Sequence, residues 1–148
     1  MADFQVHKTP DNGESTTRLL KKKDGKHRPV VLYSLRVWLE PGDVIDVVAS
    51  GEFSVDRKYT SGTKLTSMVG SRLIIGDSPI QQSGVELCES TSENVTKDEH
   101  HKVRHAIGKY KVPANMNGWK YINYVCYSSK GVKVEQDYGG IQMILIRP

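Results

Sequence analysis

The run His100-His101-Lys102-Val103-Arg104-His105 holds three of the chain's five histidines and is the first place where chemistry could sit. On a helix, His101 and His105 stand four residues apart and could share one metal ion. On a strand, His101, Val103 and His105 lie along one face, and the same ligation stays geometrically open. A zinc-protease helix needs Glu directly after the first histidine, and Lys102 stands there instead. Lys102 and Arg104 repel a cation, and no carboxylate is clearly placed to complete a ligand set. The expectation is no metal, with these histidines on an exposed strand edge or packed at a subunit contact.

Covalent catalysis is equally poorly provided for. No Gly-x-Ser-x-Gly occurs, Cys88 lies between Leu87 and Glu89 without a basic neighbour, and Cys126 lies between Val125 and Tyr127 in an apolar stretch. Two cysteines without CxxC spacing are too few for a disulfide scaffold. They are expected as small, buried or half-buried hydrophobes, with a single long-range bridge as the other reading. Gly139-Gly140 precedes no helix, so it is no phosphate cradle. Asn94-Val95-Thr96 fits the glycosylation sequon and is expected as a chance match. The chain is expected to be no enzyme and to carry no cofactor.

Two groups are better suited to binding. Arg18 with Lys21-Lys22-Lys23-Asp24-Gly25-Lys26-His27-Arg28 forms a basic cluster of the kind that meets phosphates or an acidic protein surface. No aromatic residue is interleaved with it for base stacking, which argues against nucleic acid and for a protein partner. Arg18, Lys21, Lys22, Lys23, Lys26 and Arg28 are therefore the candidate partner-binding residues. Trp119, Tyr121, Tyr124, Tyr127 and Tyr138 form a candidate aromatic shelf, of which at least half is expected in the core.

The elements that carry these groups follow from the patterning. At 148 residues the chain is long enough for one domain with a proper core. No apolar run approaches the roughly 18 residues that span a bilayer, and Met1-Ala2-Asp3-Phe4-Gln5-Val6-His7 lacks the layout of an export signal. Residues 1–36 hold eight basic side chains against Asp3, Asp11, Glu14 and Asp24, an excess equal to the net charge of +4 of the whole chain. Residues 37–148 balance. Residues 1–29 lack sustained periodicity and are expected as an extended basic arm, with a β-domain over 30–148.

Within that domain the strongest signal is the turn Glu40-Pro41-Gly42-Asp43 followed by alternation. Ile45, Val47, Ala49, Gly51, Phe53 and Val55 share one face, opposite Asp46, Ser50, Glu52 and Ser54. Further strands are predicted over 30–39, 69–75, 101–107, 109–113 and 119–127, the last a central strand with apolar groups on both faces. A short strand is expected at 85–88 within a polar stretch. Residues 132–138 and 141–147 read as a closing hairpin joined at Gly139-Gly140. No segment shows a helical stripe. The fold class is all-β: an antiparallel sandwich or jelly roll of about eight strands with an N-terminal arm.

Glu40-Pro41-Gly42-Asp43-Val44-Ile45-Asp46-Val47-Val48-Ala49-Ser50-Gly51 resembles a strand opening in calcium-dependent galactophilic bacterial lectins and related galactose-binding-like jelly rolls. Arg72-Leu73-Ile74-Ile75-Gly76-Asp77-Ser78 and Lys111-Val112-Pro113-Ala114-Asn115 resemble later steps of that fold. The lectins hold calcium and sugar in an Asn/Asp-rich loop, whereas Glu135-Gln136-Asp137-Tyr138-Gly139-Gly140 offers a single aspartate to an ion that takes six to eight oxygens. The calcium site is not carried over.

A second resemblance is to jelly-roll head-decoration and minor tail proteins of tailed phages. It rests on residues 93–101, Tyr121-Ile122-Asn123-Tyr124-Val125 and Val134-Glu135-Gln136-Asp137-Tyr138-Gly139. That resemblance implies a non-catalytic virion protein, made in a host cytoplasm, that decorates a capsid as a homo-oligomer, a trimer, through its arm and loops. Its partner would be the major capsid protein or another virion protein, with no membrane involved. A carbohydrate-binding, lectin-like module is the other expectation, with a glycan as partner.

Overall fold

The computed structural model describes residues 3–9, 17–20, 22–23, 26–27, 30–55, 66–96, 101–128 and 132–148. Its regular elements are all strands: β1 (Asp3–Lys8), β2 (Thr17–Leu20), β3 (Lys22–Lys23), β4 (Lys26–His27), β5 (Val30–Leu39), β6 (Val44–Val55), β7 (Thr66–Gly76), β8 (Val85–Thr96), β9 (His101–Lys111), β10 (Gly118–Ser128) and β11 (Val132–Arg147). One sheet runs β1-β11-β6-β9 and the other β5-β10-β7-β8. Every pairing in them is antiparallel.

Setting aside the short β2, β3 and β4, the eight long strands pair in a nested order. First meets last (β1–β11), second meets seventh (β5–β10), third meets sixth (β6–β9) and fourth meets fifth (β7–β8). A long ribbon folded back on itself and rolled up gives this order, which is the wrapping of a jelly roll.

Alternation sets the core. Ile45, Val47 and Ala49 of β6 face Leu35, Val37 and Leu39 of β5 and Ile122, Tyr124 and Cys126 of β10 across the sandwich. Ile141, Met143 and Leu145 of β11 and Leu73 and Ile75 of β7 complete it. The turn into β6 is type II in form. Asp43 N–H donates to Glu40 O (3.1 Å), with Pro41 second and Gly42 third at φ +87°, a conformation that favours glycine.

Several expectations are corrected. Residues 132–147 are one strand and no hairpin: both halves pair with β6, Val132–Glu135 opposite Val55–Glu52 and residues 140–146 opposite residues 50–44. A register shift between Glu135 and Gly140 separates the halves, and Gly140 closes it. Gly140 sits at φ +148°, and a Cβ there would press on Thr9 Oγ1 at 2.5 Å. The polar stretch after residue 84 is a twelve-residue strand, because β7 supplies its ladder in place of an apolar face. Residues 101–111 form a single strand.

The expected arm also differs. β1 lies within residues 1–29 yet is the first strand of the roll, pairing Asp3 with Arg147 through Lys8 with Gln142. β2 continues along the same edge of β11, Thr17 opposite Glu135 through Leu20 opposite Val132. β1 is therefore a strand of the sandwich, and the basic residues follow it in the chain, before β5. The sequence signal was inverted here: Phe4 and Val6 alternate, but outwards, at 62% and 66% exposure.

Candidate functional site

Of the predicted partner-binding residues, Arg18 lies on β2 opposite Val134. Lys22, Lys23 and Lys26 are gathered on the β3–β4 ladder, where Lys22 faces His27 and Lys23 faces Lys26. Lys21 and Arg28 lie outside the described residues. In chain order these residues fall between β1 and β5, and β2 pairs with β11.

His101 and His105 are on β9, opposite Phe53 and Ala49 of β6, and His100 lies outside the described residues. Among the described residues, no group of three or more His, Cys, Asp or Glu is placed to hold a metal ion. Cys126 is a free thiol buried in the core, and desolvation pushes its pKa far up, so it stays protonated and inert. Among the described residues no helix is long and apolar enough to cross a membrane.

The aromatic shelf is reorganised relative to expectation. Tyr124 is fully buried in the core, its ring parallel to that of Tyr33 at 6.3 Å. Tyr121 and Tyr127 are half-buried, and the side chain of Tyr138 is outside the described set. Trp119 is exposed at 51% and stands directly opposite Trp38 in the β5–β10 ladder. The two indoles meet edge to face at 5.4 Å and 84°. The guanidinium of Arg36 lies 4.0 Å from the Trp119 ring centroid, in cation–π contact. Trp38 and Arg36 were missed as site residues, although their outward alternation against Leu35, Val37 and Leu39 placed them on the solvent face.

This exposed cluster is moored to a buried one. Trp38 Nε1–H donates to Glu40 Oε1 (3.3 Å), and Glu40 Oε2 is 3.3 Å from Arg147 Nε. Arg147 donates from Nε to Asp43 Oδ1 and from Nη2 to Asp43 Oδ2, both at 3.0 Å. Burial alone would raise the Asp43 pKa. The hydrogen bonds from Arg147 and from the Glu40 N–H, with the charge of Arg147, outweigh it and hold the carboxyl below its ordinary value. Trp38 is thus linked through Glu40 to the Arg147–Asp43 pair.

Beside it, residues 77–84 fold over the outer face of the β5-β10-β7-β8 sheet. Buried Asn123 donates through Nδ2 to Ser78 O (3.0 Å) and Gln81 O (2.9 Å), and accepts from Ser34 Oγ (2.5 Å). Lys120 Nζ pairs with Asp77 Oδ1 at 2.6 Å. The arrangement offers an aromatic and cationic surface with polar groups around it. Stacking and hydrogen bonding are what it can do.

No protein-family model and no curated protein matches the chain. Solved structures do. A structure of the Gt strain of infectious bursal disease virus matches 99% of this chain at 10% identity, with a TM-score of 0.53, over 33% of its own chain. The Gx strain gives a TM-score of 0.51 at 9% identity, over 99% of this chain and 32% of that one. A mutant VP2 protein of the same virus, from derived T=1 particles, gives 0.51 at 12% identity, again over 99% and 32%. This chain spans about a third of the length of those chains. At such identity the likeness is one of fold: the chain is a jelly roll.

Proposed function

We propose that the protein is a non-catalytic structural component of a virion, a homo-oligomeric decoration protein that binds a tailed-phage capsid through its basic segment. The observation that carries this reading is the nested eight-strand roll, which is similar over 99% of the chain to part of a viral particle protein. The basic segment supports it as the contact. It falls between β1 and β5 in the chain and carries the whole excess of positive charge, since residues 37–148 balance, and charge complementarity steers docking on an acidic surface.

The experiment is to band particles on a density gradient from the cells that make the protein and to probe the band for this chain. The chain is expected in the particle band. A variant with Arg18, Lys21, Lys22, Lys23, Lys26 and Arg28 changed to Gln is expected to fold and to stay at the top of the gradient. Removing residues 1–29 is the poorer variant, since it also removes β1. A chain absent from the particle band would overturn the reading, and a neutralised variant that still bands would overturn the role of the basic segment.

The Trp38–Trp119–Arg36 cluster favours a second reading, a carbohydrate-binding module. The exposed indoles offer apolar surface to the C–H side of a sugar, with the Arg36 guanidinium on the Trp119 ring and the Tyr121 and Glu40 side chains on neighbouring residues. A glycan array with and without chelator tests it, with Trp119→Ala as the variant. Reproducible binding lost on that substitution would place this reading first.

A further inference from the structure

The outer edge of β1 has a hydrogen-bonding pattern that can be read from the structure. Thr9 N–H donates to Ile141 O at 2.9 Å, so residue 9 turns its backbone groups towards β11. In an antiparallel ladder the direction alternates, so Asp3, Gln5 and His7 also address β11, whereas Phe4, Val6 and Lys8 turn their N–H and C=O away from it. Among the described residues no strand pairs with that outer edge.

The side chains make the edge adhesive. Phe4 and Val6 lie on the outer face beside Ile146 and Ile144, their direct ladder partners, and all four are exposed. On the opposite face Gln5 Nε2 donates to Asp3 Oδ2 (3.1 Å), and His7 Nε2 is 2.9 Å from Gln5 Oε1. Edge strands are usually blunted by charge, Pro or a bulge. Here the outer face of β1 carries only Lys8, at its last position.

We propose that β1 pairs antiparallel with β1 of a second copy about a two-fold axis at Gln5, joining two β1-β11-β6-β9 sheets into one. In this register Phe4 faces Val6 of the partner subunit, and Val6 faces Phe4 of the partner subunit. Both are hydrogen-bonded pairs, made by the residues whose backbone groups point outwards. Asp3 faces His7 of the partner subunit, an acid opposite a base. Gln5 faces its own equivalent as a non-hydrogen-bonded pair. Moving the axis to Val6 would set Phe4 against Lys8 of the partner subunit and forfeit the apolar match. The contact is isologous and closes at two copies. It gives the homo-oligomer of the proposed function a specific contact, and the two fail separately, because one is read as mass and the other as particle association.

The test is native mass by light scattering on the full chain, with Val6→Pro and Val6→Lys. Proline at position 6 removes an N–H that faces outwards, so the β11 ladder stays whole. Lysine blocks the edge by charge. The expected result is an even multiple of 16.6 kDa that both substitutions halve. Under oxidation, Gln5→Cys is expected to give a reducible band at twice the chain mass, because a non-hydrogen-bonded pair brings Cα atoms to about 4.5 Å. A native mass that Val6→Lys leaves unchanged overturns the proposal. So does a Gln5→Cys chain that fails to cross-link while Val6→Cys succeeds, since the axis then lies elsewhere.

Discussion

Arg147 grips Asp43 at both carboxylate oxygens, across 104 residues of sequence, and so fastens the end of the last strand to the turn that opens β6. The Asp43 side chain is 1% exposed, and the Glu40 N–H donates to the same Oδ2 at 2.8 Å. Asp43 O accepts from Val112 N–H (2.8 Å), and Gly42 N–H donates to Val112 O (2.9 Å), so the end of β9 joins the same knot. Three strand ends meet at Asp43, one through its carboxylate and one through the backbone.

Replacing Arg147 with Met is expected to destabilise the fold by about 3 kcal/mol, because it strands a buried carboxylate. The low end of the usual range applies, since the guanidinium keeps 26% of its surface in solvent. Urea denaturation measures it. Adding Asp43→Asn to the same chain should recover part of the loss, and a double variant that simply sums two large losses would contradict the pairing.

The same pair sets an acid limit. Asp43 titrates lower in the fold than in the open chain, so its contribution is complete above the unfolded carboxyl value of about 3.9. That contribution fades as pH falls from there through the folded value. Thermal melts of the wild type between neutral and acid pH should therefore drop more steeply below about pH 4 than those of Asp43→Asn. Parallel curves would remove Asp43 from the acid response.

Asn123→Ala should release residues 77–84. It deletes two donors to Ser78 O and Gln81 O and the acceptor of Ser34, at a cost of about 1–3 kcal/mol. Hydrogen exchange is the sharper readout. Amides of Asp77 and Gln81, which bond within this loop, should exchange faster while β11 stays protected.

Gly70→Ala is expected to cost about 1–3 kcal/mol through overpacking. The ring of Tyr127 lies over Gly70, its direct partner in the β7–β10 ladder, and an added Cβ would overlap it. Tyr127→Leu in the same chain should soften the penalty. Equal losses with and without the ring would show that contact to be unimportant.

Much of this was legible in the sequence, and the misses share a physical cause. β6 could be read from local alternation, and Ile45, Val47 and Ala49 are indeed buried. The turn at Pro41-Gly42 was equally plain, because its chemistry lies within four residues. β8 was largely missed because its ladder with β7, and no periodic apolar face, defines it. The break at Gly139-Gly140 read as a turn for the converse reason: the local signal was strong, and pairing of both halves to β6 overruled it. The basic cluster is a matter of charge composition alone, and that a strand of the roll precedes it in the chain shows only in the pairing of β1 with β11. Trp38 became a site residue only when β10 set Trp119 beside it.

The pairing of Asp3 with Arg147 has a practical corollary. The two ends of the roll leave from one corner, so a short linker could splice residue 147 to residue 3 while the chain is reopened elsewhere. The bend at residues 77–84, outside both sheets, is the natural place to cut. A circular permutant made there should keep the nested strand order under a new connectivity. By the same geometry, the whole roll can be carried as a cassette in another protein's loop, entering and leaving at a single point.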